Sequence, residues 1–353
     1  MPHPSRLSPA LAEYLRRLPK VELHNHLEGG SMYPDLALEL AAANGLTLPF
    51  TDAASAAAFY RFTSLDQFID ILRTTVATLN TAEDYARAVE RQGERAAAQN
   101  IRYHELFVTY GLVAPRGVPW QAVVEGLEEG RRRNRIRHGV ETAFIADIDR
   151  TVDPATAIEH VRLAARDRER AGFVGVGLDC QERGFPPGRL RDAFALAKAE
   201  GFPLTAHAGE DGGPASVIEA LDVCGVQRID HGVQAIEDPA LVERLAREQV
   251  TLTVCPVSNI ALKVYPSIEG HPFRKLFDAG VRVTVNSDDP PMFDTDMVGD
   301  LTVVAEAFAL DADDLTTIVR NAFASTFRPA GARAAALSAF DAEAALLREE
   351  LRL

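Results

Sequence analysis

The feature that most constrains this chain is an eightfold alternation. From Val21 onward, short β-branched or apolar runs occur at 20–25, 101–109, 139–147, 173–179, 202–207, 227–231, 250–255 and 281–286. Longer segments with Leu, Ala and Phe at helical spacing separate them, as in Pro186 to Gly201 and Asp238 to Glu248. Repeated β-α of this kind reads as a parallel α/β sheet closed on itself, a (β/α)8 TIM barrel. Roughly 75 residues part the first two strands, more than one crossover helix requires. Helical patterns at 65–80 and 82–100 fill that interval, so we expect a helical insertion over about 33–100 near the barrel mouth. Helical patterns at 301–310 and 312–324 and an Ala/Glu/Arg-rich tail from Ala332 predict extra helices over about 298–353 that cover the barrel. No linker or fixed-period repeat divides the chain, which reads as one domain over 1–353.

Composition excludes several classes of function. Hydrophobic residues at 47% and charged residues at 25% of 353 allow a large core and exclude a disordered chain. The 37 basic and 51 acidic residues give a net charge of −14, which argues against grip on a nucleic-acid polymer or an anionic membrane. Three widely spaced cysteines, Cys180, Cys224 and Cys255, lack C-x-x-C spacing and indicate neither a disulfide framework nor a cysteine zinc site. No signal-like leader or 18-residue apolar run occurs, so the expected location is cytoplasmic and the expected partner a small molecule, with a homo-oligomer allowed.

Chemistry-bearing residues fall at strand ends. His24 and His26 close the first strand, where positions i and i+2 project to one side and can meet one metal. A structural reading of that pair alone carries even odds. His207 ends strand five and His231 ends strand six, at the rim that is the catalytic face in barrels. Asp288 and Asp289 follow strand eight, where a plain Asp-Asp-Pro turn is the competing reading. His3, His138, His160 and His271 fall on helices, loops or strand starts and His104 inside strand two, and these five are assigned no role.

In this order, HNHLEG, TAHAGE, RIDHG and NSDDP resemble the adenosine deaminase family of zinc-dependent aminohydrolases, over about Pro19 to Pro290. The resemblance implies a (β/α)8 barrel, agreeing with the strand count. It implies one zinc ion held by His24, His26, His207 and Asp288, and hydrolytic attack by activated water at C6 of a 6-aminopurine with loss of ammonia. Glu210 would give a proton to N1, His231 and Asp288 would orient the water and stabilise developing charge, and Asp289 would bond N7. Nucleic-acid deaminases pair H-x-E with P-C-x-x-C instead, and no P-C-x-x-C occurs here.

Within the family the branch is less sharply marked. Adenosine-specific members show H-x-H-L-D-G, whereas this chain carries Glu28. Its Asp179-Cys180-Gln181-Glu182-Arg183-Gly184-Phe185-Pro186-Pro187, RIDHGV and TVCPVSN resemble the adenine deaminase branch. Glu28, Asp179, Gln181 and Glu182 are therefore candidate substrate contacts that would fill space a ribose needs. Pro290-Pro291-Met292-Phe293 resembles the adenosine or futalosine branches, which keeps adenosine, aminodeoxyfutalosine and N6-substituted adenines as alternatives. Phe59 to Phe68 reads either as a gate or as a buried helix face. Readings of other kinds are a catalytically silent nucleobase-binding barrel and a two-metal hydrolase, although strand four ends in Asp179 without a bridging lysine.

Overall fold

The computed structural model describes residues 7–63 and 65–353. His3 lies outside the described residues. Eight strands occur where the alternation placed them: β1 Lys20–His26, β2 Ile101–Thr109, β3 Glu141–Asp149, β4 Phe173–Asp179, β5 Thr205–Ala208, β6 Arg228–His231, β7 Thr251–Val254 and β8 Arg282–Val285. All pair in parallel, as two arcs ordered β1-β2-β3-β4 and β5-β6-β7-β8. Single parallel bridges join the arcs, Val176 to Leu204 on one side and Asn25 to Asp288 on the other. The first rests on Val176 N–H donating to the Pro203 carbonyl at 3.0 Å. The second rests on His26 N–H to the Asp288 carbonyl and Asp288 N–H to the His24 carbonyl, both at 3.1 Å. The fold is the expected barrel.

β5 is shorter than its apolar run because Pro203 has no N–H to give to a ladder. β3 starts two residues late because Gly139, at φ 67°, terminates the preceding helical turn. Between β1 and β2 lie helices Leu27–Gly30, Pro34–Ala43, Ala53–Phe59, Leu65–Val76 and Ala82–Ala98. The last of these is the crossover helix of the barrel, packed beside Trp120–Arg133 where Gly126 and Gly130 admit Tyr85 and Val89. The additional helices therefore end before position 82. Phe62 and Phe68 pack on Phe293, with ring centroids at 6.1 and 5.6 Å, and tie this segment to the loop after β8. Both readings of the Phe59 to Phe68 stretch draw on that packing, since it is apolar contact placed at the mouth.

The C-terminal helices Met297–Phe308, Ala312–Ala324 and Ala330–Leu351 cover the barrel end formed by strand starts. Asn321 Nδ2 donates to the Val283 carbonyl at 3.0 Å, and Ser325 Oγ lies 2.7 Å from Thr251 Oγ1. Beneath them Arg228 is paired with Glu105 at 2.7 Å, and Glu105 also takes the Phe327 N–H at 2.6 Å. A contiguous hydrophobic core runs from Tyr14 to Leu347. All three cysteines are free, and no helix among the described residues is long and apolar enough to cross a membrane.

Candidate active site

The pleat of β1 turns His24 and His26 to the mouth of the barrel, where His207 arrives from β5, His231 from β6 and Asp288 from just beyond β8. The expected ligands come together. His26 Nε2 and His207 Nε2 are 3.1 Å apart, and Asp288 Oδ1 lies 3.4 Å from His26 Nε2 and 3.6 Å from His24 Nε2. Hydrogen bonds on the outer side of two rings set their orientation. His24 Nδ1 meets the Thr253 carbonyl at 3.1 Å, and His207 Nδ1 meets the Leu178 carbonyl at 2.9 Å. A carbonyl only accepts, so both Nδ1 atoms carry the proton and both Nε2 lone pairs face the centre.

These donors fit a metal ion. His207 Nε2 presents its lone pair 3.1 Å from His26 Nε2, and His24 Nε2 is buried with no hydrogen-bond partner. A tetrahedral zinc with Zn–N near 2.0–2.1 Å spaces its ligand atoms by about 3.3 Å. Burial pushes His26 down to about 4 and His207 well below its ordinary value, so both are neutral and able to ligate at neutral pH. For Asp288, burial acts upward, but the neighbouring imidazoles of His24, His231 and His26 hold the carboxyl below the usual range. Its Oδ2 accepts from Ser258 Oγ at 2.6 Å. Asp288 and His231 both adopt left-handed backbone, at φ 63° and 64°, which costs a non-glycine residue about 1–3 kcal/mol and turns each side chain into the mouth.

Glu210 follows Gly209, whose φ of 70° makes the turn out of β5. Its Oε1 stands 3.6 Å from His231 Nε2, buried and without a hydrogen-bond partner. Burial first, then the charges of Asp288 and Glu182, raise its pKa well above the ordinary value. That shift favours the protonated acid, which can give its proton to a base in the cavity.

Glu182 proves to be committed to that turn. Its carboxylate accepts four backbone N–H groups, from Gly209 at 2.6 Å, Glu210 at 3.1 Å, and Asp211 and Gly212 at 2.8 Å. It fixes the loop that carries Glu210 and is not a side chain standing free in space for a sugar. Glu182→Ala strands those donors, and each hydrogen bond to a charged group is worth about 1.5–3 kcal/mol, discounted here because three are only part-buried. A loss of about 2–4 kcal/mol in urea unfolding is expected, and a loss under about 0.5 kcal/mol would show the loop to be held otherwise.

The remaining expected contacts divide. Gln181 is exposed, and its amide donates to the Arg183 carbonyl at 3.3 Å. Asp179, Asp289 and Glu28 are buried, each with one oxygen lacking a partner: Asp179 Oδ1, Asp289 Oδ1 and Glu28 Oε2. Asp179 Oδ2 takes the Thr109 hydroxyl, and Glu28 Oε1 takes the Thr109 N–H at 3.1 Å. Burial pushes Glu28 up to about 8 and Asp179 up to about 7, and raises Asp289 strongly with help from Asp288 and Glu28. Gly29 makes room for Asp289, because a Cβ there would lie 2.1 Å from Asp289 Oδ1.

Among the unassigned histidines, His104 is a buried structural residue bonded to Thr142 Oγ1 at 2.7 Å. His138 and His160 stand apart from the cluster, His138 facing Glu90 and His160 packed on Tyr110. His271 reaches the cluster through one residue: its Nε2 lies 3.1 Å from Asn259 Oδ1, and Asn259 Nδ2 lies 3.3 Å from His231 Nδ1. Asn259, Ser258 and Thr253 were missed as supports, although all three lie in the TVCPVSN run.

A parallel barrel with three histidines and an aspartate converging at its C-terminal mouth, beside a buried glutamate oxygen without a partner, defines a metal-dependent hydrolase. The sequence narrows this, because the family model described as adenosine deaminase matches residues 19–343, and the chain belongs to that family. It is similar to the adenine deaminase of Cupriavidus necator, at 42% identity over 332 residues covering 94% of each chain. Among solved structures it resembles the adenine deaminase of Arthrobacter aurescens, with TM-score 0.87 and 33% identity over 92% of this chain and 98% of that one. A zinc-bound amidohydrolase of B. ambifaria superposes with TM-score 0.89 at 28% identity, covering 99% of this chain and 97% of that one. The protein is a zinc-dependent purine aminohydrolase.

Proposed function

We propose that this chain hydrolyses adenine, taken as the free base, to hypoxanthine and ammonia. The observation that carries the choice of substrate is Glu28, a fully buried carboxyl with an unpaired oxygen on the wall shared with Asp179 and Asp289. An N9–H answers such a group, whereas a ribose at N9 displaces it or strands its oxygen. The relatives named adenine deaminase support the same reading.

His24, His26, His207 and Asp288 would hold one zinc ion, which when bound would supply Lewis acidity and make water a competent nucleophile at neutral pH. Glu210 gives its proton to N1 as water adds at C6, which relieves the charge that builds on the ring as aromaticity is lost. Asp289, uncharged because it is buried among carboxyls, bonds N7 and holds the ring in plane over the ligand cluster. Glu28 and Asp179 meet the ring from the wall they share with Asp289, and the C6–N bond then breaks as one proton of the added water leaves on the amino nitrogen as ammonia and the other returns to Glu210.

Ammonia release from adenine, adenosine, deoxyadenosine, aminodeoxyfutalosine and N6-substituted adenines tests this. Adenine is expected to exceed adenosine in kcat/KM by about 10- to 200-fold, the range steric pockets give. Equal or better turnover of adenosine would overturn the substrate and leave the metal site standing.

A further inference from the structure

We propose that Asn259 and His271 are positioning residues that lock His231 in the Nε2–H tautomer, making it the hydrogen-bond donor among the four imidazoles at the mouth. The inference deepens the deaminase reading and rests on it for its catalytic consequence. Its starting point is a backbone amide. Phe273 N–H donates to His271 Nδ1 at 3.2 Å. An amide N–H can only donate, so His271 Nδ1 is bare, and burial, which pushes this histidine down to about 4, keeps the ring neutral. Its single proton is therefore on Nε2, which meets Asn259 Oδ1 at 3.1 Å.

That contact fixes the Asn259 amide, whose oxygen must face His271 and whose nitrogen must face His231. Asn259 Nδ2 donates to His231 Nδ1 at 3.3 Å. His231 thus has its lone pair outward and its proton on Nε2, which points to Glu210 Oε1 at 3.6 Å and Asp288 Oδ2 at 3.9 Å. His24 and His207 have the opposite arrangement, with carbonyls on their Nδ1 atoms and lone pairs inward. The ring centroids of His24 and His231 are only 4.5 Å apart, so position does not separate ligand from donor. His24, His231, Cys255 and Asp288 place potential ligand atoms within 4.8 Å of one another, as do His24, His26 and His207. The relay removes His231 from the ligand set and gives it an N–H for the oxygen that adds at C6.

The test uses Asn259→Asp, His271→Gln and His271→Phe in the full chain. In Asn259→Asp a carboxylate oxygen faces His231 and calls for a proton on Nδ1, reversing the tautomer. His271→Gln keeps one donor and one acceptor, while His271→Phe removes both. Long-range proton–nitrogen NMR on 15N-histidine-labelled protein, zinc-free and zinc-loaded, reads the tautomer without reference to turnover. We expect Nε2–H His231 in the parent and in His271→Gln, and Nδ1 protonation in Asn259→Asp. We also expect kcat to fall about 10²- to 10⁴-fold in Asn259→Asp with KM within a few-fold, and His271→Gln to exceed His271→Phe by at least tenfold. Nδ1-protonated His231 in the parent protein, or Asn259→Asp with an unchanged tautomer, would overturn the relay. A confirmed tautomer with no ammonia release from any aminopurine would overturn the deaminase reading instead.

Discussion

Glu210→Gln is expected to retain zinc and bind purine while kcat falls by about 10²- to 10⁴-fold, the usual worth of a general acid. The amide keeps the shape of the side chain, and the turn beneath it is held by Glu182, so the loop has no reason to move. What it lacks is a proton to give. Burial and the neighbouring carboxylates of Asp288 and Glu182 raise the pKa of this group, so the parent's kcat should fall as pH rises through that raised value and the acid ionises. The glutamine variant should lose that limb of the profile along with its rate. Turnover within about threefold of the parent would remove Glu210 from the proton transfer. Purine binding by calorimetry and zinc by atomic absorption separate this outcome from a collapsed site.

His207→Ala is expected to lose metal and activity together, down to background ammonia release. The imidazole offers its Nε2 3.1 Å from that of His26, and no other described side chain occupies that position among the ligand candidates. Asp288→Ala should behave alike, with the added loss of the Ser258 hydrogen bond at 2.6 Å. Chelation of the parent should reproduce the defect, and zinc should then restore the parent but neither variant. A variant that is inactive with a full complement of zinc would take its residue out of the ligand set.

The barrel was legible because β strands that are buried on both faces must be apolar runs, and eight such runs separated by helical spacing leave little choice. The cluster at the mouth was legible because strand ends are fixed points: His24, His26, His207, His231 and Asp288 each sit at or just beyond one. Supports were harder to see. Glu182 acts on a loop 27 to 30 residues away, and His271 reaches His231 through Asn259, so neither leaves a local pattern. The crossover position of Ala82–Ala98 leaves no mark either, since that helix has the same amphipathic period whether it crosses the barrel or decorates it. The left-handed backbone at His231 and Asp288 runs against residue preference, and only the demands of the mouth account for it.

The bridge between β8 and β1 has a consequence for how the molecule holds itself shut. Its two hydrogen bonds join His26 to Asp288 and Asp288 to His24, so three of the four proposed zinc ligands are also the stitches of the ring's last seam. Binding free energy for zinc is then spent in part on cylinder closure, and occupancy and structural integrity become one thermodynamic quantity. Stripping the ion should loosen this seam before any other, leaving two four-stranded arcs hinged at Val176 and Leu204. Amide exchange at His26 and Asp288 becomes a gauge of metal content, and starvation for zinc becomes a route to unfolding as well as to silence.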